Sequence, residues 1–213
     1  MSPRVKVCGI TRIEDALLAA DLGASAIGFV FWPGSPRFIE PDDAQKIVAA
    51  LPPAVVCVGV FVDQDVDYLR HASEVVPLGA VQLHGHESVA FAEGLMTPVI
   101  KAVPVDDGFD PASIDDLPSS LTVLLDAHDP ARHGGTGRTI NWQRAGLAAR
   151  RRPIVLAGGL TPDNITAAID LVHPYAVDVS SGVETAPGIK DPQKMTAFFK
   201  ALNELKAGSI SHD

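Results

Sequence analysis

The 213-residue sequence holds only two cysteines, Cys8 and Cys57, too few for a disulfide framework in a chain of this length. It is also short of positive charge, since 17 Lys and Arg stand against 26 Asp and Glu and leave a formal charge of −9. A nucleic-acid or anionic-membrane binder needs a basic face to displace counterions, so both partner classes are excluded, and any bound anion must be held locally. Long apolar runs are missing too. The longest, 54–62, falls far short of the roughly 18 residues that cross a bilayer as a helix. The N-terminus, MSPRVKVCGITR, lacks the apolar segment and small-residue cleavage site of a secretory signal. These absences predict a soluble protein of a reducing cytoplasm.

What is present is an ordered globular composition, with 46% apolar and 20% charged residues, enough to bury one substantial core. No linker or low-complexity tract interrupts the chain before Lys206. The expectation is one domain over residues 1–205 and a disordered tail, KAGSISHD, over 206–213.

One pattern recurs along the chain. Apolar residues at offsets of three, four and seven mark helix faces: Ile13, Ala16, Leu17 and Ala20; Ala44, Ile47, Val48 and Leu51; Ile165, Ala168, Ile169 and Val172; Met195, Phe198, Phe199 and Leu202. Thr11 with Glu14 fits a capping box, while Thr161-Pro162 and Asp191-Pro192 each place a cap before a proline suited to a helix start. Between the helices lie runs rich in β-branched residues at 4–8, 26–31, 55–62, 80–83, 99–103, 121–125, 153–157 and 176–179. They are almost continuously apolar, as strands covered on both faces are. The segments 86–95 and 110–118, where helices four and five would stand, are short and poorly periodic. Eight strand-helix units of about 27 residues predict an α/β fold, a single (β/α)8 TIM barrel, near the lower end of its size range. An open doubly wound sheet would place GxGxxG after the first strand, where this chain reads CGITRIED.

In such a barrel the strand C-termini carry the chemistry, which selects Cys8, Arg37, Asp63, His84, Asp126 and Asp178. Two glycine-bearing turns follow strands seven and eight: Gly158-Gly159 running into Thr161-Pro162, and Ser180-Ser181-Gly182, which could open a short extra helix. Backbone amides exposed in these positions suit a phosphate. A third cluster, 133–137, follows strand six without the Lys-Ser or Lys-Thr of a P-loop, so it reads as a loop closing over substrate or as a plain connection. Cys57 lies mid-strand in an apolar run and reads as a small buried hydrophobe.

The stretches KVCGIT (6–11), SPR (35–37), QLHG (82–85), Asp126 with GGTG (134–137), LAGGL (156–160) and DVSSGVE (178–184) occur in an order that resembles the phosphoribosylanthranilate isomerase family from residue 4 to about residue 205. The resemblance implies a tryptophan-biosynthesis enzyme that converts N-(5-phosphoribosyl)anthranilate to 1-(2-carboxyphenylamino)-1-deoxyribulose 5-phosphate by an Amadori rearrangement. It implies no metal and no cofactor, a phosphorylated small-molecule substrate, and a monomer or homodimer. By the same resemblance Asp126 is the general acid and Cys8 the general base, Arg37 meets the anthranilate carboxylate, His84 and Asp178 line the pocket, and Gly158, Gly159, Ser180, Ser181 and Gly182 bind phosphate. An acid near the ordinary aspartate pKa of about 3.9 would be poor at neutral pH, so Asp126 needs desolvation. Cysteine, ordinarily about 8.5, needs a nearby cation, and Lys6, two residues upstream on the same strand face, is the expected one. The family usually continues GGTG into an aromatic-acid-Trp segment; this chain reads Arg138-Thr139-Ile140-Asn141-Trp142.

Rival readings exist. His84, His86, Asp63, Asp126, His128 and Asp178 together resemble the cluster of the metal-dependent pentose-phosphate epimerases, although a metal would need those ligands at one depth. The phosphate turns alone would make a non-catalytic sugar-phosphate binding module. Indole-glycerol-phosphate synthases use a lysine and glutamates where this chain has Cys8 and Asp126, and the bifunctional sugar isomerases place an aspartate at the position of Cys8.

Overall fold

The structure is a computed structural model and describes residues 3–127 and 139–210, without the side chains of 206–210. His128 and the glycine cluster 133–137 lie outside the described residues. Eight parallel strands close into a barrel in chain order: β1 (Arg4–Cys8), β2 (Ala26–Val30), β3 (Val56–Phe61), β4 (Ala80–Leu83), β5 (Val99–Val105), β6 (Thr122–Ala127), β7 (Ile154–Leu156) and β8 (Ala176–Val179). The first and last strands complete the ring, with Lys6 level with Asp178 across the seam.

Side chains along each strand alternate between two environments. On β1, Val5 and Val7 join the large apolar layer between barrel and helices, so Lys6 and Cys8 face inward. On β6, Val123 and Leu125 face the helices while Leu124 and Asp126 face in. Ala102, Leu124, Val155, Ala157 and Ala176 fill the lower interior. Cys57 packs in the outer layer, as a small hydrophobe does.

The helices are α1 (Ile13–Asp21), α2 (Pro41–Val48), α3 (Val66–Val75), α4 (Val89–Glu93), α5 (Trp142–Ala149), α6 (Ile165–Val172) and α7 (Pro192–Ile210). The two poorly periodic segments give little helix: α4 has five residues, and Pro111–Asp116 is a 3-10 turn. Among the described residues no helix is long and apolar enough to cross a membrane.

Four local expectations change. The capping box at Thr11 and Glu14 does not form, because the Thr11 hydroxyl donates to Gly188 O at 2.6 Å and Arg12 occupies the cap position. Helix α1 exposes Ile13 and Leu17 and buries Asp15, Ala16 and Ala19. Asp15 tolerates burial because Arg12 grips both its oxygens at 2.9 and 2.7 Å. Thr161-Pro162 opens a turn rather than the helix itself: Asn164 closes that turn by accepting from Thr161 N, and α6 begins at Ile165. At the other end α7, capped as expected by Asp191 accepting from the amides of Gln193 and Lys194, continues to Ile210, into the segment expected to be a tail. Lys206 and Ala207 are good helix formers, which favours that extension.

After β8 the chain makes one 3-10 turn, Ser181–Val183, then a small antiparallel hairpin of β9 (Glu184–Ala186) and β10 (Ile189–Lys190). The sequence pattern suggested the turn and missed the hairpin.

Candidate active site

At the C-terminal mouth of the barrel lies an open cavity. Cys8, Arg37, His84, Asp126, Asp178, Gly158, Gly159, Ser180 and Ser181 all line it. The chain thus brings together residues from the ends of strands one, two, four, six, seven and eight. Val30, Val60, Val62 and Trp32 form an apolar wall on one side.

Around Cys8 the environment is ionic. Lys6 Nζ donates to Asp178 Oδ2 at 2.8 Å, both groups buried. Lys6 also approaches the thiol, because a Cβ added at Gly28 would lie 2.7 Å from Cys8 Sγ and 3.1 Å from Lys6 Nζ, and only a glycine leaves that space open. Burial pushes the Cys8 thiol up; Lys6 and Lys190 pull it back and the Asp178 carboxylate adds to the rise, with a net upward shift. The expected cation is therefore in place, but its charge is shared with Asp178 and does not win against desolvation. Burial works to lower the Lys6 ammonium, yet Asp178 and Cys8 hold it above its ordinary value. Asp178 is raised by burial, with Lys6 opposing and Asp126 adding to the rise. Its second oxygen, Oδ1, is buried with no hydrogen-bond partner among the described residues.

Around Asp126 the groups are a neutral chain. Gln82 Nε2 lies 2.9 Å from His84 Nδ1, and His84 Nε2 lies 3.2 Å from Asp126 Oδ2. With the amide donating to Nδ1, the hydrogen of the neutral ring sits on Nε2 and points at the carboxylate. The other carboxylate oxygen accepts from Ala127 N at 2.7 Å. Gly158 closes in from the next strand with φ +81°; a Cβ there would lie 2.9 Å from Ala127 N and 3.3 Å from Asp126 Oδ1, so this position needs glycine twice over. Gln82 was present in the QLHG stretch but not singled out; its position two residues before His84 puts it on the same strand face, a signal the sequence did carry.

One site expectation needs correction. Arg37 does not offer a free guanidinium fork, because Glu184 holds its Nε at 2.9 Å and its Nη2 at 2.6 Å, both groups buried. Arg37 lines the cavity, and Nη1 is the guanidinium nitrogen that Glu184 leaves unengaged. Gly182 is not among the cavity-lining residues; a side chain there would strike Leu160 O, so it seats the turn after β8 against the turn after β7. Asp63 and His86 pair with each other at 3.1 Å on the exposed rim, away from that lining. Among the described residues no group of three or more His, Cys, Asp or Glu could hold a metal ion.

The profile of a family described as N-(5'-phosphoribosyl)anthranilate (PRA) isomerase matches residues 5–201. The chain is 49% identical over 208 residues to the N-(5'-phosphoribosyl)anthranilate isomerase of Pelobacter propionicus, covering 97% of this chain and 98% of that one. The solved phosphoribosylanthranilate isomerase of Thermus thermophilus superposes with a TM-score of 0.87 at 44% identity, covering 95% and 99% of the two chains. A phosphoribosylanthranilate isomerase solved with reduced 1-(o-carboxyphenylamino)-1-deoxyribulose 5-phosphate superposes at 0.82, with 40% identity over 95% and 99%.

Proposed function

The chain belongs to the N-(5'-phosphoribosyl)anthranilate isomerase family, and its reaction is the Amadori rearrangement of phosphoribosylanthranilate in tryptophan biosynthesis; on that premise we propose how the cavity residues divide the work. Asp126, as the carboxylic acid, gives a proton to the ribose ring oxygen, which opens the ring to a protonated Schiff base between C1 and the anthranilate nitrogen. Cys8, as thiolate, removes the C2 proton to form the enaminol, which tautomerises to the ketose. The proton Asp126 gives and the proton Cys8 takes cancel over the cycle, with solvent returning both groups to their starting states, so the overall isomerisation balances without a cofactor. His84 orients Asp126, and Gln82 sets the tautomer of His84.

The substrate's orientation follows from the cavity's chemistry. The open edge of Arg37 takes the anthranilate carboxylate, and the wall of Val30, Val60, Val62 and Trp32 takes its ring. The phosphate lies at the opposite side, where the turns at Gly158-Gly159 and Ser180-Ser181 meet. The unpartnered Oδ1 of Asp178 accepts a sugar hydroxyl. Lys6 limits the rise of the Cys8 thiol, keeping a usable thiolate fraction. The two free thiols, Cys8 and Cys57, suit a reducing compartment, and we place the protein in the cytoplasm.

The observation that carries this reading is the single cavity shared by Cys8, on the first strand, and Asp126, on the sixth. The test supplies freshly made phosphoribosylanthranilate and follows its loss of fluorescence. Cys8→Ala and Asp126→Asn are expected to lower kcat by at least about 10²-fold each while still binding reduced product. Turnover near wild type in either variant would remove that residue from its role.

A further inference from the structure

Behind the cavity wall, the hairpin of β9 and β10 carries two buried ionisable residues to which the proposed chemistry assigns nothing. The Lys190 side chain is wholly enclosed, and its ammonium meets three acceptors: Cys8 O at 2.6 Å, Glu184 Oε1 at 2.7 Å and Ser180 O at 3.4 Å. An ammonium has three hydrogens, so each is used. Glu184 in turn takes Lys190 on Oε1, Arg37 Nε on both oxygens and Arg37 Nη2 on Oε2, and Gly188 N approaches Oε1 at 3.3 Å. Glu184 is held below the usual carboxylate range: burial opposes ionisation, but Arg37 and Lys190 outweigh it.

These contacts reach three separate corners of the cavity: the residue bearing the base, the residue at the phosphate end, and the guanidinium at the carboxylate end. The hairpin is itself anchored, with Lys190 N donating to Asp15 Oδ2 at 3.0 Å and Thr11 fastened to Gly188 O. Holding a hairpin down does not require charge, since an apolar pair of similar volume commonly does so equally well or better. The ionic types therefore point to a task that depends on direction.

We propose that Glu184 and Lys190 are positioning residues of the isomerisation: Glu184 fixes the Arg37 guanidinium so that one edge faces the substrate carboxylate, and Lys190 ties the Cys8 and Ser180 carbonyls together so that base and phosphate seat keep a fixed separation. The first half rests on the reading of Arg37 as the carboxylate binder.

The test measures binding of two ligands, the reduced product and the same compound with phenyl replacing carboxyphenyl, to wild type, Glu184→Gln and Arg37→Gln, each with a cooperative melt. Glu184→Gln is expected to weaken the carboxylated ligand about tenfold, the worth of one charge-assisted hydrogen bond, and the phenyl ligand by less than about twofold. Equal losses, or none, would overturn the role of Glu184. If Arg37→Gln discriminates between the ligands and Glu184→Gln does not, the positioning proposal alone falls. If neither discriminates, the reading of Arg37 falls with it. For Lys190, Lys190→Met is expected to lower kcat on the order of 10²-fold with a smaller change in KM, as a misplaced reacting group does. An unchanged kcat would remove Lys190 from the proposal, and Lys190→Gln supplies the same comparison should the methionine variant not fold.

Discussion

The two groups proposed to react are framed in opposite ways. Cys8 sits among charges, with Lys6 and Asp178 on one side and Lys190 and Glu184 behind its carbonyl. Asp126 sits at the end of a neutral chain of amide, imidazole and backbone N–H. The difference follows from what each must do. A thiol in a buried site loses its thiolate unless cations oppose the desolvation, so its frame must be electrostatic. A carboxyl group that hands a proton to one ring oxygen needs above all to be aimed, and a short chain of directional hydrogen bonds aims it.

The comparison breaks most visibly at Lys6. Lys6→Met leaves Asp178 buried without its counter-ion, and a loss of about 3–5 kcal/mol is expected in urea unfolding. Pairing it with Asp178→Asn should recover much of that loss while leaving activity low, since Cys8 still lacks its neighbouring cation; a double variant no more stable than the single would contradict the electrostatic account.

A second effect concerns pH. The Cys8 thiol is shifted upward, so at neutral pH it is mostly protonated, and the thiolate fraction grows about tenfold per unit as pH rises toward its pKa. The logarithm of the rate at which iodoacetamide alkylates Cys8 should climb with pH at a slope of about one above neutrality, and Lys6→Met should move that limb to higher pH. A flat profile would mean that Cys8 is already thiolate at neutral pH, and an unmoved limb that Lys6 does not influence its charge.

The smallest effect belongs on the neutral side. Gln82→Leu removes the donor that sets the His84 tautomer together with an amide oxygen that has no partner among the described residues, so stability should shift by less than about 1 kcal/mol. Turnover should fall several-fold, on the order of one hydrogen bond, with the alkaline limb unmoved. Movement of that limb would show that the two frames are coupled.

The barrel was legible because its strands are long enough, apolar enough and regular enough to be read locally. The inward parity of Lys6 and Cys8, and of Asp126, followed from two-residue alternation. What the sequence hid depends on distant partners. Helix α1 shows two plausible apolar faces, and the choice between them is made by Arg12 and the hairpin, which cover Asp15. Thr11 looks like a cap until Gly188 takes its hydroxyl. Glu184 stood inside a recognised stretch, yet its grip on Arg37 spans 147 positions and leaves no periodic trace. Strands β9 and β10, of three and two residues, stand outside the strand-helix repeat that announced the equally short β7.

The bond from Lys190 to the carbonyl of Cys8 spans 182 positions of the chain. During synthesis the thiol leaves the ribosome almost first, whereas the lysine that steadies it emerges only after every strand of the cylinder has been made. A translation product halted short of that lysine would carry the thiol yet lack its brace, so an interrupted message should yield an inert fragment in place of a poorly controlled enzyme.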